Sequence, residues 1–412
     1  MKSKILALLG STLLTGTAMA GGYQVNLASQ RQIGMGHTGT GLNTGTSSIF
    51  FNPGAMAQAR NGVTIGASAI ISKIAYQGPD YSEAEADNPT GTPFQVYGVY
   101  GISEKFKVGL GVYTPFGSTV KWGTEWYGRK GLNELSLQAI YIQPTVSYQL
   151  TEKLGIGAGV TYTIGSVNLK RTLPVEGENG AEGHIELDGD AKSAFGYNVG
   201  IFFQATDKLS LGVNYRSKVD VEVEEGDVTF TDIDKLPTAA RPNFPSGAQF
   251  DASLPLPATL SFGIGYQATE KLTLAADISH VAWSEYKELR FDFTKPIGGN
   301  TSSASARNYE DAFIYRIGAE YQATDALTLR AGAYLDKTPV QEGYLTPETP
   351  DADSRGLSAG IGYAFSDKFS VDASFLYINK KQRTDEANLS NGIPGTFKSI
   401  AYIPGIALNY NF

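Results

Sequence analysis

Bulky apolar residues alternate with small residues along much of the chain. The pattern is clearest in LGIGAGVTY (154–162), LSFGIGY (260–266) and LSAGIGYAF (357–365). A period of two predicts β-strands with bulky side chains on one face and Gly, Ser or Thr on the other. The second face of a soluble sandwich would carry Lys, Glu and Thr. Small residues there favour a barrel whose apolar face meets lipid and whose lumen is occupied.

A short phrase recurs six times between these segments, each time with an aromatic residue three positions before a Ser/Thr-Asp/Glu pair. Such pairs favour tight reversals of the chain. The copies begin at Tyr100, Tyr148, Phe203, Tyr266, Tyr321 and Tyr363. These aromatic residues are expected to form one girdle at the periplasmic side of a membrane.

Seven long connections separate the short turns, at roughly 75–93, 117–134, 171–193, 221–256, 284–310, 338–354 and 381–396. Six short and seven long connections join fourteen strands, and an even number with short turns on one side is typical of outer-membrane proteins. The sequence therefore predicts an all-β fold, a 14-stranded antiparallel transmembrane β-barrel. A soluble all-β secreted protein is the alternative.

The first 61 residues do not alternate. Residues 1–20 contain two lysines, an apolar run from Ile5 to Leu14 and a small-residue ending, which together predict a signal peptide cleaved before Gly21. The run is too short for a transmembrane helix, which needs about 20 apolar residues. Residues 21–61, called the hatch below, are glycine-rich and are predicted to plug the lumen of a barrel formed by residues 62–412. A disordered exported N-terminus is the alternative.

Composition excludes several classes of protein. The chain has no cysteine, which excludes disulfides, thiolate metal sites and a thiol nucleophile. A formal charge of -8 argues against nucleic-acid binding. The three histidines, His37, His184 and His280, lack metal-ligand spacing, so no metal and no cofactor are expected. Ser279 adjoins His280, but consecutive strand residues face opposite sides, so a lipase-like pair is disfavoured and no enzyme activity is predicted.

Proline and glycine interrupt the third predicted strand at Pro115 and Gly117. Proline has no N–H for a β-ladder, so a bulge or a local loss of pairing is expected here. The alternative is that Pro115 only ends the strand before a long connection.

Four motifs follow one another along the mature chain: GYQVN (22–26), NPG (52–54), DISHVAWS (277–284) and a longer block at 311–365. They resemble motifs of the FadL family of outer-membrane transporters. Residues 22–26 (GYQVN) are similar to the family's mature start, and Asn52-Pro53 resembles its Asn-Pro-Ala hatch motif, with Gly54 in the third position. Residues 277–284 (DISHVAWS) resemble an Asp-containing strand that ends in Trp-Ser. The most specific block, residues 311–365, includes the acidic-plus-Arg element Asp353-Ser-Arg355.

The resemblance implies passive uptake of hydrophobic compounds, with long-chain fatty acids favoured and aromatic hydrocarbons as the alternative. It implies a luminal pocket near the hatch and a sideways exit at an inward kink of the third strand. A hydrophilic porin or an adhesin is a further alternative, and no catalysis is implied. The implied hatch residues are Gly22, Tyr23, Phe50, Phe51, Asn52, Pro53 and Gly54, and the implied kink residues are Thr114, Pro115, Phe116 and Gly117.

A fatty-acid carboxylate would favour a basic partner in the lumen. Counting along the strands from Tyr321 and Leu329 places Arg316, Glu320 and Arg330 inside. Arg316 and Arg330 are therefore candidate carboxylate partners, whereas a structural ion-pair network is the preferred interpretation of Glu320. Expected partners are a hydrophobic small molecule, outer-membrane lipid and the barrel-assembly machinery through the C-terminal Phe412. The expected location is the Gram-negative outer membrane.

Overall fold

The computed structural model describes residues 22–390 and 392–412. The predicted signal peptide lies outside the described residues, as does Gly21, the first residue of the predicted hatch. Within the described part of the chain, no helix is long and apolar enough to cross a membrane.

The described residues form a closed antiparallel barrel of fourteen wall strands, which confirms the predicted fold class. Several wall strands consist of two segments separated by an irregular residue pair, such as the first one, built from β1 and β2. The strands are β1 (Gly62–Ser68), β2 (Ile71–Gln77), β3 (Glu83–Glu85), β4 (Phe94–Gly101), β5 (Phe106–Lys121), β6 (Glu134–Thr151), β7 (Leu154–Glu176), β8 (Glu182–Asp190), β9 (Ala194–Gln204), β10 (Leu209–Arg216), β11 (Val219–Thr231), β12 (Ala248–Leu256), β13 (Thr259–Gln267), β14 (Leu272–Val281), β15 (Glu288–Ile297), β16 (Asn300–Ala306), β17 (Ala312–Gln322), β18 (Leu327–Asp336), β19 (Ser354–Ala364), β20 (Phe369–Lys380), β21 (Arg383–Asp385) and β22 (Gly395–Asn411).

The barrel closes where β22 pairs with β1, from Gly62 opposite Asn411 to Ser68 opposite Gly405. Along the wall strands, side chains alternate between the outer surface and the lumen, as the sequence predicts. The six aromatic residues before the short turns are all exposed on the outer surface, as are Ile264 and Ile361. Glycine and small polar residues line the lumen, which leaves room for the hatch.

Three of the predicted long connections consist largely of β-strands. Residues of β7 and β8, of β11 and β12, and of β15 and β16 form hairpins that extend the wall outward. The alternation is present there, as in Val219–Thr231, but the outward face carries Asp and Glu instead of bulky apolar residues. Beyond the hydrocarbon layer the outward face meets water, so the strands continue without the lipid-facing pattern.

The hatch runs inside the barrel as short helical turns joined by irregular segments. Two α-helices, α1 (Gln30–Gly34) and α2 (Ser48–Phe51), are accompanied by 3-10 turns at Gly45–Ser47 and Ala55–Gln58. The remaining 3-10 turns lie outside the hatch at Glu178–Gly180, Ile233–Lys235, Arg241–Asn243 and Trp283–Glu285. Close backbone contact holds the hatch to the wall: at Gly36, whose φ is +66°, an added Cβ would lie 2.6 Å from the carbonyl oxygen of Ile317.

Candidate functional site

The third wall strand, β5, leaves its neighbour β4 halfway along its length. The β4–β5 ladder ends at the pair Gln95 and Tyr113. On the other side, the β5–β6 ladder shifts register between Tyr113 and Phe116, so that residues 114 and 115 form a bulge. The side chain of Thr114 still meets β4, since its Oγ1 accepts a hydrogen bond from the Phe94 amide at 3.2 Å.

The start of the hatch replaces β4 as the partner of the outer half of β5. The Val25 amide donates to the carbonyl of Pro115 at 2.8 Å, and the Gly117 amide donates to the carbonyl of Tyr23 at 3.2 Å. Residues 22–25 therefore run beside β5 inside the barrel and form an isolated β-bridge between Gln24 and Phe116. Tyr23 is buried against Trp283, with ring centroids 4.8 Å apart in an edge-on arrangement.

A cavity of about 410 Å³ occupies the space between residues 89–93 and the outer half of β5. Its lining combines apolar residues with many hydroxyl groups. The lining residues of β5 are Thr114, Phe116, Gly117, Ser118, Thr119 and Val120, and Gly22 and Val25 of the hatch also contribute. Two of the four predicted kink residues form the bulge and the other two follow it directly, and three of the four border this cavity.

A second, mainly apolar cavity lies deeper in the outer half of the barrel. It shares Phe116, Gly117 and Leu137 with the first cavity, so the two adjoin. Its wall consists of aromatic and aliphatic side chains from the hatch, the bulge and the outward extensions of the wall. They include Tyr23, Leu135, Ala139, Leu169, Val221, Val223, Leu254, Tyr286, Leu289 and Phe291.

An arginine and a glutamate line this apolar cavity, and a second arginine contacts the glutamate. Arg307 is 1% exposed, and its Nη2 is 3.6 Å from Oε1 of Glu348. Nη2 of Arg171 is 3.4 Å from the same oxygen, while Arg307 and Glu348 line the cavity. Burial opposes ionisation of Glu348, but the charges of Arg307 and Arg171 outweigh it and hold the pKa of this carboxyl below its ordinary value. The cluster has a formal charge of +1.

The Asn52-Pro53-Gly54 motif fastens the hatch to the wall. The buried side-chain amide of Asn52 donates to the carbonyls of Thr40 (2.9 Å) and Ile201 (3.0 Å), and its oxygen accepts from the Gly54 amide at 2.9 Å. A Cβ on Gly54 would lie 2.8 Å from backbone atoms of the wall, including the carbonyl oxygen of Gly155. Glycine in this position therefore lets the motif rest directly on β7 and β9.

Phe50 and Phe51 contact each other edge-on at 5.0 Å, and Phe50 contacts Tyr113 at 5.3 Å. The guanidinium of Arg216 lies 4.8 Å from the ring centroid of Phe50 and donates to the Phe50 carbonyl at 3.2 Å. Arg216 also donates to the hydroxyl of Tyr113 at 2.7 Å. These contacts link the middle of the hatch to β5 just before the bulge.

The structure places Arg316 and Arg330 in the lumen, in two different environments. Arg330 belongs to an ion-pair network: its Nε is 2.6 Å from Glu320 and its Nη1 is 2.5 Å from Asp372. Arg31 of the hatch binds the other side of Glu320 at 2.8 Å. This network joins the hatch to β17, β18 and β20 and lies away from the apolar cavity.

Arg316 lines a small polar cavity between hatch and wall, and its Nη1 donates to Ser279 at 2.7 Å. Four polar atoms around this cavity have no hydrogen-bond partner among the described residues: Gln24 Oε1, His37 Nδ1, Asn214 Oδ1 and Asp277 Oδ1. The cavity therefore suits polar groups rather than an acyl chain. Burial lowers the pKa of His37, in the hatch, to about 3.

Ser279 and His280 face opposite sides, as strand geometry requires. Ser279 is buried with Ser261 at 2.7 Å, whereas Nε2 of His280 lies 3.2 Å from Asp311 on the outer surface. Residues 22–390 and 392–412 contain no group of three or more His, Cys, Asp or Glu side chains placed to hold a metal.

Sequence reasoning missed Arg216, Arg307 and Glu348. The inward position of Arg216 follows from alternation along β10, because its neighbour Tyr215 faces outward beside Tyr197. Arg307 and Glu348 lie in irregular connections, where no periodicity predicts the direction of a side chain.

The family described as "Outer membrane protein transport protein (OMPP1/FadL/TodX)" matches residues 11–412. The 47 kDa outer membrane protein of Pasteurella multocida (strain Pm70) is 27% identical over 434 residues, 98% of each chain. The long-chain fatty acid transport protein of Escherichia coli (strain K12) is 23% identical, with 97% of this chain and 96% of the relative covered.

Solved structures share the fold. A FadL homologue from Pseudomonas aeruginosa matches with a TM-score of 0.78 and 21% identity, over 96% of this chain and 100% of that chain. The toluene transporter TodX from P. putida matches with a TM-score of 0.72 and 20% identity, over 92% and 97%. Both support a plugged fourteen-stranded barrel. The chain therefore belongs to the OMPP1/FadL/TodX family of transport channels, and it is an outer-membrane transporter of hydrophobic compounds.

Proposed function

We propose that the protein takes up long-chain fatty acids and releases them sideways through the wall at the bulge in β5. The observation that carries this proposal is the apolar cavity with a buried guanidinium at its lining, directly beside the cavity at the gap. The apolar cavity of about 70 Å³ and the adjoining cavity of about 410 Å³ together hold the acyl chain. Arg307 at the lining holds the carboxylate, and Arg171 adds its charge from behind Glu348.

The division of labour follows from physical chemistry. Burial of apolar surface stabilises a bound chain by about 25 cal/mol per Å², which a water-filled pore does not offer. A carboxylate in the same apolar place needs a charge-assisted partner. Glu348 neutralises one of the two arginines, so the cluster keeps one formal positive charge for a ligand.

The route from the apolar cavity to lipid passes Phe116 and Gly117, which line both cavities. Beyond them, the bulge and the missing β4–β5 pairing leave a place in the wall without a continuous ladder. The hatch blocks the straight path to the periplasm through its close contacts with the wall.

Aromatic hydrocarbons are the second candidate, favoured by the rings of Tyr23, Phe116, Tyr286 and Phe291 in the cavity wall. Arg307→Met separates the two candidates because it removes the cation and keeps the volume. We expect it to lower uptake of radiolabelled oleate about 10- to 100-fold, the effect of losing a hydrogen bond to a charged group, while uptake of toluene changes little. Arg307→Lys, the matched control, should keep most oleate uptake, and equal oleate uptake by all three proteins would contradict a carboxylate site.

The sideways exit needs its own test. Pro115→Val with Gly117→Val should favour regular pairing and abolish uptake while the barrel stays folded. Ser118→Trp should fill the cavity at the gap with the same effect, whereas Ser303→Trp, on the distant and exposed β16, should not. Normal uptake by both gap variants would refute the exit at this position, and a large steady conductance of the unmodified protein would instead indicate a hydrophilic porin.

A further inference from the structure

The outer rim of the barrel carries a row of basic side chains on the side formed by β2, β18, β19, β20 and β22. Each of them is separated by an even number of positions from an exposed apolar or aromatic residue such as Leu335, Leu357 or Tyr402. Because side chains alternate along a strand, the basic side chains therefore lie on the same outer surface. This basic face consists of Lys73, Lys337, Arg355, Lys381 and Lys398.

These residues are close together because their strands are consecutive neighbours. Arg355 pairs with Leu335 on one side and Asn379 on the other, and Ile400 pairs with both Asn379 and Lys73. Nζ of Lys398 reaches Oδ1 of Asn379 at 2.5 Å. With strands about 4.8 Å apart, the basic face spans roughly 20 Å of the rim.

The basic face lies at the level expected for lipid headgroups. Tyr377 and Tyr402 are paired across β20 and β22, with ring centroids 5.4 Å apart. Tyrosine rings at this position mark the border between hydrocarbon and headgroups. Lys381 and Lys398 follow two outward steps further along the same strands.

Four lysines elsewhere on the outer rim are engaged in ion pairs. Lys130 is 2.6 Å from Glu176, Lys170 is 3.2 Å from Glu186, and Lys218 is 3.1 Å from Asp220. Lys192 is likewise paired with Glu224. The charge of each of these four lysines is thus balanced by a neighbouring carboxylate.

The lysines of the basic face differ: within residues 22–390 and 392–412, Lys73, Lys337, Lys381 and Lys398 have no carboxylate oxygen within 4.0 Å. Asp353 and Glu85 border the face. Asp353 accepts a hydrogen bond from the Thr338 amide at 3.2 Å, and Glu85 pairs with Ala75 on the strand of Lys73. Five cations and two carboxylates give a formal charge of +3, in a protein whose overall charge is -8.

We propose that the basic face binds the phosphate groups of a phosphorylated glycolipid in the outer leaflet. A ligand with acyl chains covers the exposed rings and leucines below, while its phosphates reach the ammonium groups above. Free phosphate has no acyl chains to cover the exposed rings and leucines. The lipid is therefore the ligand that matches both the apolar surface and the ammonium groups. The site is separate from the ligand path through the lumen, so its loss should leave oleate uptake per folded protein unchanged.

The test compares two variants with the same change in charge. One carries Lys73→Gln, Lys337→Gln, Lys381→Gln and Lys398→Gln; the control carries Lys130→Gln, Lys170→Gln, Lys192→Gln and Lys218→Gln. Binding of bisphosphorylated lipid A to the detergent-purified proteins is measured by native mass spectrometry. We expect the first variant to bind about tenfold or more weakly, since each lysine near an anionic lipid contributes several-fold, and the control to stay within about twofold.

Two further arms identify the recognised chemistry. Dephosphorylated lipid A should bind the unmodified protein as weakly as bisphosphorylated lipid A binds the first variant, and inorganic phosphate alone should not compete at the concentration of the lipid. Equal losses in both variants, unchanged binding of the dephosphorylated lipid, or competition by inorganic phosphate would each overturn the proposal. If the fourfold variant does not fold, Lys381→Gln with Lys398→Gln must show a reduced affinity on its own.

Discussion

Replacing Asn52 by leucine should loosen the hatch and leave the barrel intact. Leucine has the same number and branching of side-chain heavy atoms as asparagine, so the change removes hydrogen bonds without creating a cavity. The bonds lost are those to the carbonyls of Thr40 and Ile201 and the one from the Gly54 amide. The strand ladders of the wall do not involve this side chain, so the barrel keeps its own stability.

The magnitude follows from the number of bonds. A buried hydrogen bond contributes about 1 kcal/mol net. Only the bond from Asn52 to the Ile201 carbonyl reaches the wall, because Thr40 and Gly54 belong to the hatch, so the side chain contributes about 1 kcal/mol to the attachment of the hatch. Since about 1.4 kcal/mol corresponds to a factor of ten, the fraction of molecules with this part of the hatch released should rise roughly fivefold.

Hydrogen exchange of the folded protein in detergent, followed for peptides that cover residues 36–56, measures that fraction. Asn43→Leu is the matched control because its side chain bonds only within the hatch, to the Gln58 carbonyl at 3.0 Å and the Gly45 amide at 3.0 Å. Planar-bilayer recordings should show brief ionic leaks for Asn52→Leu and none for Asn43→Leu. Exchange at residues 36–56 that is equally fast in both variants would refute the assigned role of Asn52.

Two other changes probe the same attachment. Gly54→Ala should weaken the attachment of the hatch by about 1–3 kcal/mol, because the new Cβ would lie 2.8 Å from backbone atoms of the wall. Gly98→Ala, where the nearest atom is 3.7 Å from the new Cβ, should not affect the attachment. The same hydrogen-exchange experiment measures both variants. Lowering the pH from 7 to 5 should favour hatch release by about 2 kcal/mol, since the pKa of His37 is about 3 in the buried state and the ordinary 6.5 once released. His37 takes up a proton when the hatch is released, so the hatch attachment weakens as the pH falls below 6.5. His37→Gln should abolish this pH dependence of hatch release. A pH dependence that persists in His37→Gln would show that another group is responsible.

Most of the wall could be predicted because its environment is periodic. Lipid on one side and a narrow lumen on the other require bulky apolar residues to alternate with small ones. Ile264, which is exposed on the outer surface, and its neighbour Gly265 are an example. The outward extensions were not predicted as strands, because their outer face carries polar residues such as Asp227 and Thr229, which are also typical of loops. These extensions are β-strands like the rest of the wall, but their outer face meets water instead of lipid.

The hatch and the charged cluster depend on another kind of information. The hatch is held by single contacts, such as Asn52 to Ile201, that join residues 149 positions apart and leave no local pattern. The cluster of Arg171, Arg307 and Glu348 is assembled from the outer end of β7 and two irregular connections. Neither set follows from spacing, because neither is built on a repeating element.

This separation has a consequence for ligand choice within the family. The wall and the hatch contacts determine that a plugged barrel forms, whereas the side chains that we propose to bind a carboxylate lie largely in connections such as that of Glu348. Connections tolerate change better than the ladders that they join. Relatives that share the barrel at 20–27% identity can therefore differ in ligand without any change in fold. The local charge at the apolar cavity, rather than overall similarity, is the feature that should predict what each member carries.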